Sequence, residues 1–127
     1  MEIITDKKEL LEAVKNYGSD LKRGSYKLKN DKEIVLEAVK RNGFALRYAS
    51  DNLRDDKEVV LEAVKKFGLA LEYASKRMQN DKEVVLEAMK DNDLALEFAS
   101  EELQAEFREK WIEGIEREVK EAKSVKK

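Results

Sequence analysis

The chain reads DKEIVLEAVKRNGFALRYAS from Asp31, DKEVVLEAVKKFGLALEYAS from Asp56 and DKEVVLEAMKDNDLALEFAS from Asp81, one phrase repeated three times at a step of 25 residues. A fixed period in this range marks a repeat array, in which each unit is too small to bury its own apolar face and must stack on the next. One further step upstream lies Asp6. Leu10, Leu11, Ala13, Val14 and Gly18 fall where Val35, Leu36, Ala38, Val39 and Gly43 fall one unit later. The second half of this first unit is different: Ser19, Asp20, Leu21, Lys22, Arg23, Gly24 and Ser25 stand in place of FALRYAS from Phe44. A hydrophilic end unit is what an array needs where it meets water. Residues 6–29 therefore read as an N-terminal cap repeat, with full repeats at 30–54, 55–79 and 80–104.

Each unit divides into two predicted helices. In the copy at 55–79, Asp55 followed by Glu58 has the form of a capping box, with Asn30/Glu33 and Asn80/Glu83 as counterparts. The first helix then starts near residue 56. At 100° per residue, Val59, Val60, Leu61, Ala63, Val64 and Phe67 cover an arc of roughly 200°, the breadth expected of a helix wedged between two neighbours. Gly68, like Gly18 and Gly43, is positioned to end it as a left-handed residue. The second helix is expected from about Leu69 to Met78, with Ala70, Leu71, Ala74 and Met78 inward. After Leu103 the period fails, and Phe107, Trp111, Ile112, Ile115 and Val119 recur at helical spacing. Residues 105–120 read as a capping helix laid across the last repeat with Trp111 as its anchor, and 121–127 as a charged, frayed tail. The predicted fold is all-α: an α-solenoid of four ~25-residue two-helix repeats with a C-terminal capping helix.

Composition agrees and narrows the function classes. Charged residues make up 43% and hydrophobic ones 42%, the balance of a helical protein with a densely charged surface. The net charge of −2 gives no general attraction to nucleic acid or anionic membrane. Cysteine and histidine are both absent, which removes disulfides, thiol catalysis, zinc–thiolate sites and imidazole chemistry. The first residues lack a basic and apolar leader, and no apolar run approaches ~20 residues, so a cytoplasmic location is the default expectation.

The Asp-Lys-Glu opening, the Val-Leu-x-Ala-Val stretch, the Gly-x-Ala-Leu turn, the Tyr-Ala-Ser segment and the closing Leu together resemble the short repeats of domain-of-unknown-function family 4116. The resemblance covers residues 31–105 well, 6–29 in part and the last twenty not at all. Asp93 in place of the turn glycine and Met89 in place of a valine are its departures. That family has no assigned activity, so the resemblance implies a helical repeat fold and no mechanism.

Several ladders invite a chemical reading. Ser25, Ser50, Ser75 and Ser100 recur, but a nucleophile needs a base and an oxyanion site, and the expected role is structural, with each hydroxyl bonded to its own helix. Glu33, Glu37, Glu58, Glu62, Glu83 and Glu87 lie on the outer arc. Lys40, Lys65 and Lys90 follow the second, fourth and sixth of them by three residues, which suits solvated ion pairs better than a metal site. Lys32, Lys57 and Lys82 are matched by nearby glutamates rather than forming a basic footprint. Tyr48, Tyr73 and Phe98 are expected to stack in the inter-repeat core. No catalytic residue, cofactor or metal ligand is therefore assigned.

The informative contrast is between surface positions that repeat and those that vary. Arg47, Glu72 and Glu97 share one position, Asp51, Lys76 and Glu101 another, and Arg41, Lys66 and Asp91 a third. In solenoids the scaffold repeats while the recognition surface varies, so these nine residues are the candidate partner-binding strip. The expected function is a non-catalytic interaction or scaffolding module for another protein or peptide. No nucleic acid or membrane partner is expected, and the chain is expected to be a monomer or to associate weakly end to end. The alternative is a purely structural repeat, a fragment of a longer array or an engineered consensus, with no partner of its own.

Overall fold

In a computed structural model, which describes residues 2–125, each repeat is one long α-helix followed by a tighter return segment. The long helices are α1 (Lys7–Asn16), α3 (Lys32–Arg41), α5 (Lys57–Lys66) and α7 (Lys82–Asp91). Each is followed by a six-residue 3₁₀ segment, at Gly18–Arg23, Gly43–Tyr48, Gly68–Tyr73 and Asp93–Phe98. Single-turn helices α2 (Tyr26–Lys29), α4 (Asp51–Arg54) and α6 (Lys76–Gln79) close the first three repeats, and α8 (Glu101–Val125) follows the fourth. The all-α repeat architecture is thus as expected, apart from one isolated bridge between Ile4 and Gly24.

The predicted second helix is not continuous. It is a 3₁₀ segment, then an extended pair such as Ala74–Ser75, then one turn of α-helix. The break occurs because Ser75 caps that last turn: its Oγ accepts from the Met78 N–H at 3.1 Å, and Ser25, Ser50 and Ser100 do the same for Leu28, Leu53 and Leu103.

The long helices lie side by side, α1 on α3 on α5 on α7, and the 3₁₀ segments form the second layer, the first three packed against their own helix and the next and the fourth against α7. Between the layers Val35, Val60, Val85, Leu46 and Leu71 are fully buried, as are Ile34, Val59 and Val84 on the side facing the preceding repeat. The caps of the long helices are Asp6, Asp31, Asp56 and Asp81, whose side chains accept from Glu9, Ile34, Val59 and Val84. They are therefore one residue later than the expected Asn30, Asp55 and Asn80, which serve the neighbouring serines instead.

No residue among those described has positive φ, so the turn glycines do not act as left-handed terminators. They are needed for space. A β-carbon on Gly18, Gly43 or Gly68 would stand 2.3, 2.3 or 2.2 Å from the carbonyl oxygen of Ala38, Ala63 or Ala88 in the next repeat. Asp93 takes the fourth glycine position, where no further repeat follows.

At the leading end Ile4 is buried and pairs with Arg23 and Ser25 through its backbone, whereas Ile3 is 68% exposed. At the trailing end the expected separate capping helix is absent. The repeats break at Asn30–Asp31, Asp55–Asp56 and Asn80–Asp81, whose polar side chains compete with helix; the matching pair is Ala105–Glu106, two helix formers, so α8 runs straight on. Leu103 is buried and Phe107 half-buried, but Trp111 is 69% exposed and anchors nothing. The helix also continues through residues expected to fray, up to Val125, while Lys126 and Lys127 lie outside the described residues.

Candidate functional site

The inter-repeat seams absorb most of the groups whose residue types suggest chemistry. Lys7, Lys32 and Lys57 each reach forward to the cap aspartate of the next repeat: Nζ lies 3.0 Å from Asp31, Asp56 and Asp81 respectively, and within 3.4 Å of Glu33, Glu58 and Glu83. Lys82 reaches Glu106, which stands in for the missing fifth aspartate. The DKE phrase is therefore a clamp from one repeat to the next. The bonds from the neighbouring carboxylates raise the pKa of Lys7, Lys32 and Lys57. Burial pushes the cap carboxyls up, yet the lysine and backbone N–H bonds outweigh it, and Asp31, Asp56 and Asp81 are held below the ordinary range. Of the expected pairs farther along these helices, Glu87–Lys90 closes at 2.9 Å.

The serine ladder is also a seam. The hydroxyls of Ser50, Ser75 and Ser100 donate to Asn30, Asp55 and Asn80 of the preceding repeat at 2.5 to 2.6 Å, and the N–H groups of the same serines donate to Lys29, Arg54 and Gln79 carbonyls. Each hydroxyl thus bonds its own helix, as expected, by accepting the cap N–H, and in addition donates across the interface. Arg77 adds a second tie, donating through Nε and one terminal nitrogen to the Asp55 carboxylate, and these bonds lower the Asp55 pKa.

All nine candidate partner-binding residues are exposed, but they fall into separate groups. Asp51, Glu72 and Lys76 line one shallow cleft of about 300 Å³ together with Arg54, Tyr73 and Gln79. Lys76, Glu97 and Glu101 line the adjoining one, of about 500 Å³, with Gln79 common to both. Gln79 has its side-chain amide occupied by the Leu71 and Glu72 carbonyls, so it forms a fixed wall. Arg47 stands over two rings, its guanidinium carbon 5.2 Å from the centre of Tyr48 and 5.5 Å from that of Tyr73. Arg41, Lys66 and Asp91 belong elsewhere. They end the long helices, some 14 Å from the end that the clefts adjoin, and Asp91 accepts the Gly68 N–H at 2.7 Å as part of the stack.

Two features escaped the sequence reading. Phe44 and Phe67 stack at 4.4 Å across a repeat boundary, with Tyr73 5.6 Å from Phe44. Their positions differ within the repeat, so ladders drawn position by position do not pair them; the signal was aromatic residues at places where the other full repeats carry Leu or Asn. Tyr48, Tyr73 and Phe98 are half-buried against the core, and of the three Tyr73 lies beside Phe44. The second feature is the apolar trailing end, where Leu86, Leu94, Trp111, Ile112, Ile115 and Val119 are all exposed.

Among the described residues no three of Asp, Glu, His or Cys converge to hold a metal ion. No helix among them is long and apolar enough to cross a membrane. What the seams, the two layers and the variable clefts define is a tandem helical repeat protein. A family model described as "Domain of unknown function (DUF4116)" matches residues 6–54 and 56–104, so each match spans two of the structural repeats. The chain belongs to this family. No curated protein and no solved structure matches it.

Proposed function

We propose that the protein is a non-catalytic interaction module that holds an extended, partly basic segment of another protein along the short-helix strip. The observation that carries this reading is the run of two adjoining clefts sharing Lys76 and Gln79. It places side chains that vary between repeats on a backbone that does not vary, the division of labour of solenoid binding surfaces. Glu72, Glu97 and Glu101 supply an acidic end and the ring-stacked Arg47 a basic one, so charge sets partner register and encounter rate more than affinity. Arg41, Lys66 and Asp91 are left out of this reading because they end the long helices, away from the clefts.

The test is capture from native lysate by the parent and by a variant carrying R47E, E72K and E97K, after both give the same helical circular dichroism and melt. A partner held by the parent, released by salt and lost by the variant supports the reading. Equal capture by both moves the binding face elsewhere. No partner for either favours the purely structural repeat.

A further inference from the structure

We propose that two copies of this chain dock through α8, antiparallel about a two-fold axis beside residue 113. The surface concerned is separate from the cleft strip. From residue 107 onward α8 leaves the array with an apolar stripe that nothing among the described residues covers: Trp111, Ile112, Ile115 and Val119 are 69, 49, 39 and 48% exposed. An amphipathic helix in a protein is stabilised mainly by packing its apolar face rather than by propensity.

The end of the array rejects a further repeat as the occupant. Asp93 carries a β-carbon where Gly18, Gly43 and Gly68 leave room for the next repeat's carbonyl. At the leading end, Glu9 stands exposed where Ile34, Val59 and Val84 are fully buried, and Lys8 replaces the glutamates that meet the preceding lysine. Head-to-tail stacking would bury a lone carboxylate and set Lys8 beside Lys82.

A second α8 fits where a repeat does not. The sequence Arg108, Trp111, Ile115, Glu118 has the three-four-three spacing of one helical seam. Laid antiparallel against its own copy, this seam sets Trp111 level with the second copy's Ile115 and Arg108 level with its Glu118, each pairing occurring twice by symmetry. An isologous contact requires this kind of self-complementarity. Ile112 meets its counterpart on one flank. On the other lies Gly114, a mid-helix glycine with nothing within 4 Å of its notional β-carbon, which leaves room for the indoles. Beyond Glu118 the second helix runs on along a groove of about 340 Å³ walled by Met89, Leu96, Phe107 and Trp111.

Sedimentation equilibrium of the whole chain, whose mass is 14.7 kDa, reads the association directly. The parent is expected to dimerise in a concentration-dependent way and I115E to be monomeric at unchanged helicity. R108E and E118R are each expected to weaken the dimer about tenfold, while the double swap restores it to within about threefold of the parent. A parent that stays monomeric at several hundred micromolar overturns the proposal. So does a dimer indifferent to I115E, and a double swap no better than the single ones overturns the register.

Discussion

Gly43 stands so close to the following repeat that a β-carbon on it would lie 2.3 Å from the carbonyl oxygen of Ala63. Replacing glycine by alanine where φ is negative ordinarily stabilises a protein by about 0.4–1 kcal/mol through the unfolded chain. Here the obstacle is backbone, which has nowhere to go without opening the seam between two repeats. Gly43→Ala is expected to lower the urea-unfolding free energy by about 1–3 kcal/mol. Gly114→Ala, in open space on α8, is expected to raise helicity instead. Equal and small effects at both positions would show that close approach is not what the turn glycines provide.

Ser75 joins two repeats with one side chain, capping α6 and donating to Asp55. Ser75→Ala is expected to cost about 1–2 kcal/mol in chemical denaturation, from a lost cap and a lost buried-edge hydrogen bond. Ser25 caps Leu28 in the same way but has no such side-chain partner upstream among the described residues. Ser25→Ala is therefore expected to cost clearly less, and matching losses would remove the inter-repeat bond from the account.

The period, the buried positions and the end of the repeats at Leu103 were legible because a 25-residue step aligns equivalent environments, and the same residue types return wherever burial does. The return segment was not legible. Over only ten residues, Ala70, Leu71 and Ala74 fall inward in either an α or a 3₁₀ geometry, and the deciding signal was Ser75, a strong cap residue placed mid-segment. The glycines misled because left-handed turns and close approach both select Gly. Exposure of the nine candidate residues followed from periodicity, but their division into a cleft strip and a distant group depends on how the repeats are offset. For α8, amphipathicity indicates that an apolar face needs cover without saying whose surface supplies it.

The clamps between repeats give stability a defined pH dependence. Asp31, Asp56 and Asp81 have lower pKa values folded than free: burial opposes the shift, and the bonds from lysine and backbone N–H outweigh it. Their contribution is complete above the ordinary aspartate range, about pH 4, and is lost as pH falls through the lowered folded values. Asp55, Glu87 and Glu106 are shifted the same way by Arg77, Lys90 and Lys82. Lys7, Lys32 and Lys57 are raised, so their contribution is present at neutral pH and lost in strong alkali. The urea midpoint is expected to be flat from about pH 5 to 8 and to fall steeply below about pH 4. Asp56→Asn is expected to be less stable at pH 7 and to show a shallower acid fall. An acid profile unchanged by that substitution would separate the clamp from the pH dependence.

Val59 and Glu9 occupy one position of the repeat in opposite environments, and this pair gives the sharpest test of the stack. Val59 is fully buried against the preceding repeat, while Glu9, in the first of the described repeats, is exposed. A carboxylate at residue 59 would lie between α3 and α5, away from water and without a cation placed to meet it. Val59→Glu is expected to cost more than about 3 kcal/mol and to leave the purified chain largely unfolded. Glu9→Val touches only a solvated edge, and its effect on unfolding free energy is expected within about 0.5 kcal/mol. Because the two changes are the reverse of each other, propensity and size effects largely cancel in the sum of their effects, and what remains reports burial by the neighbouring repeat. If Val59→Glu were tolerated as Glu9 is, the repeats would not be stacked along this face.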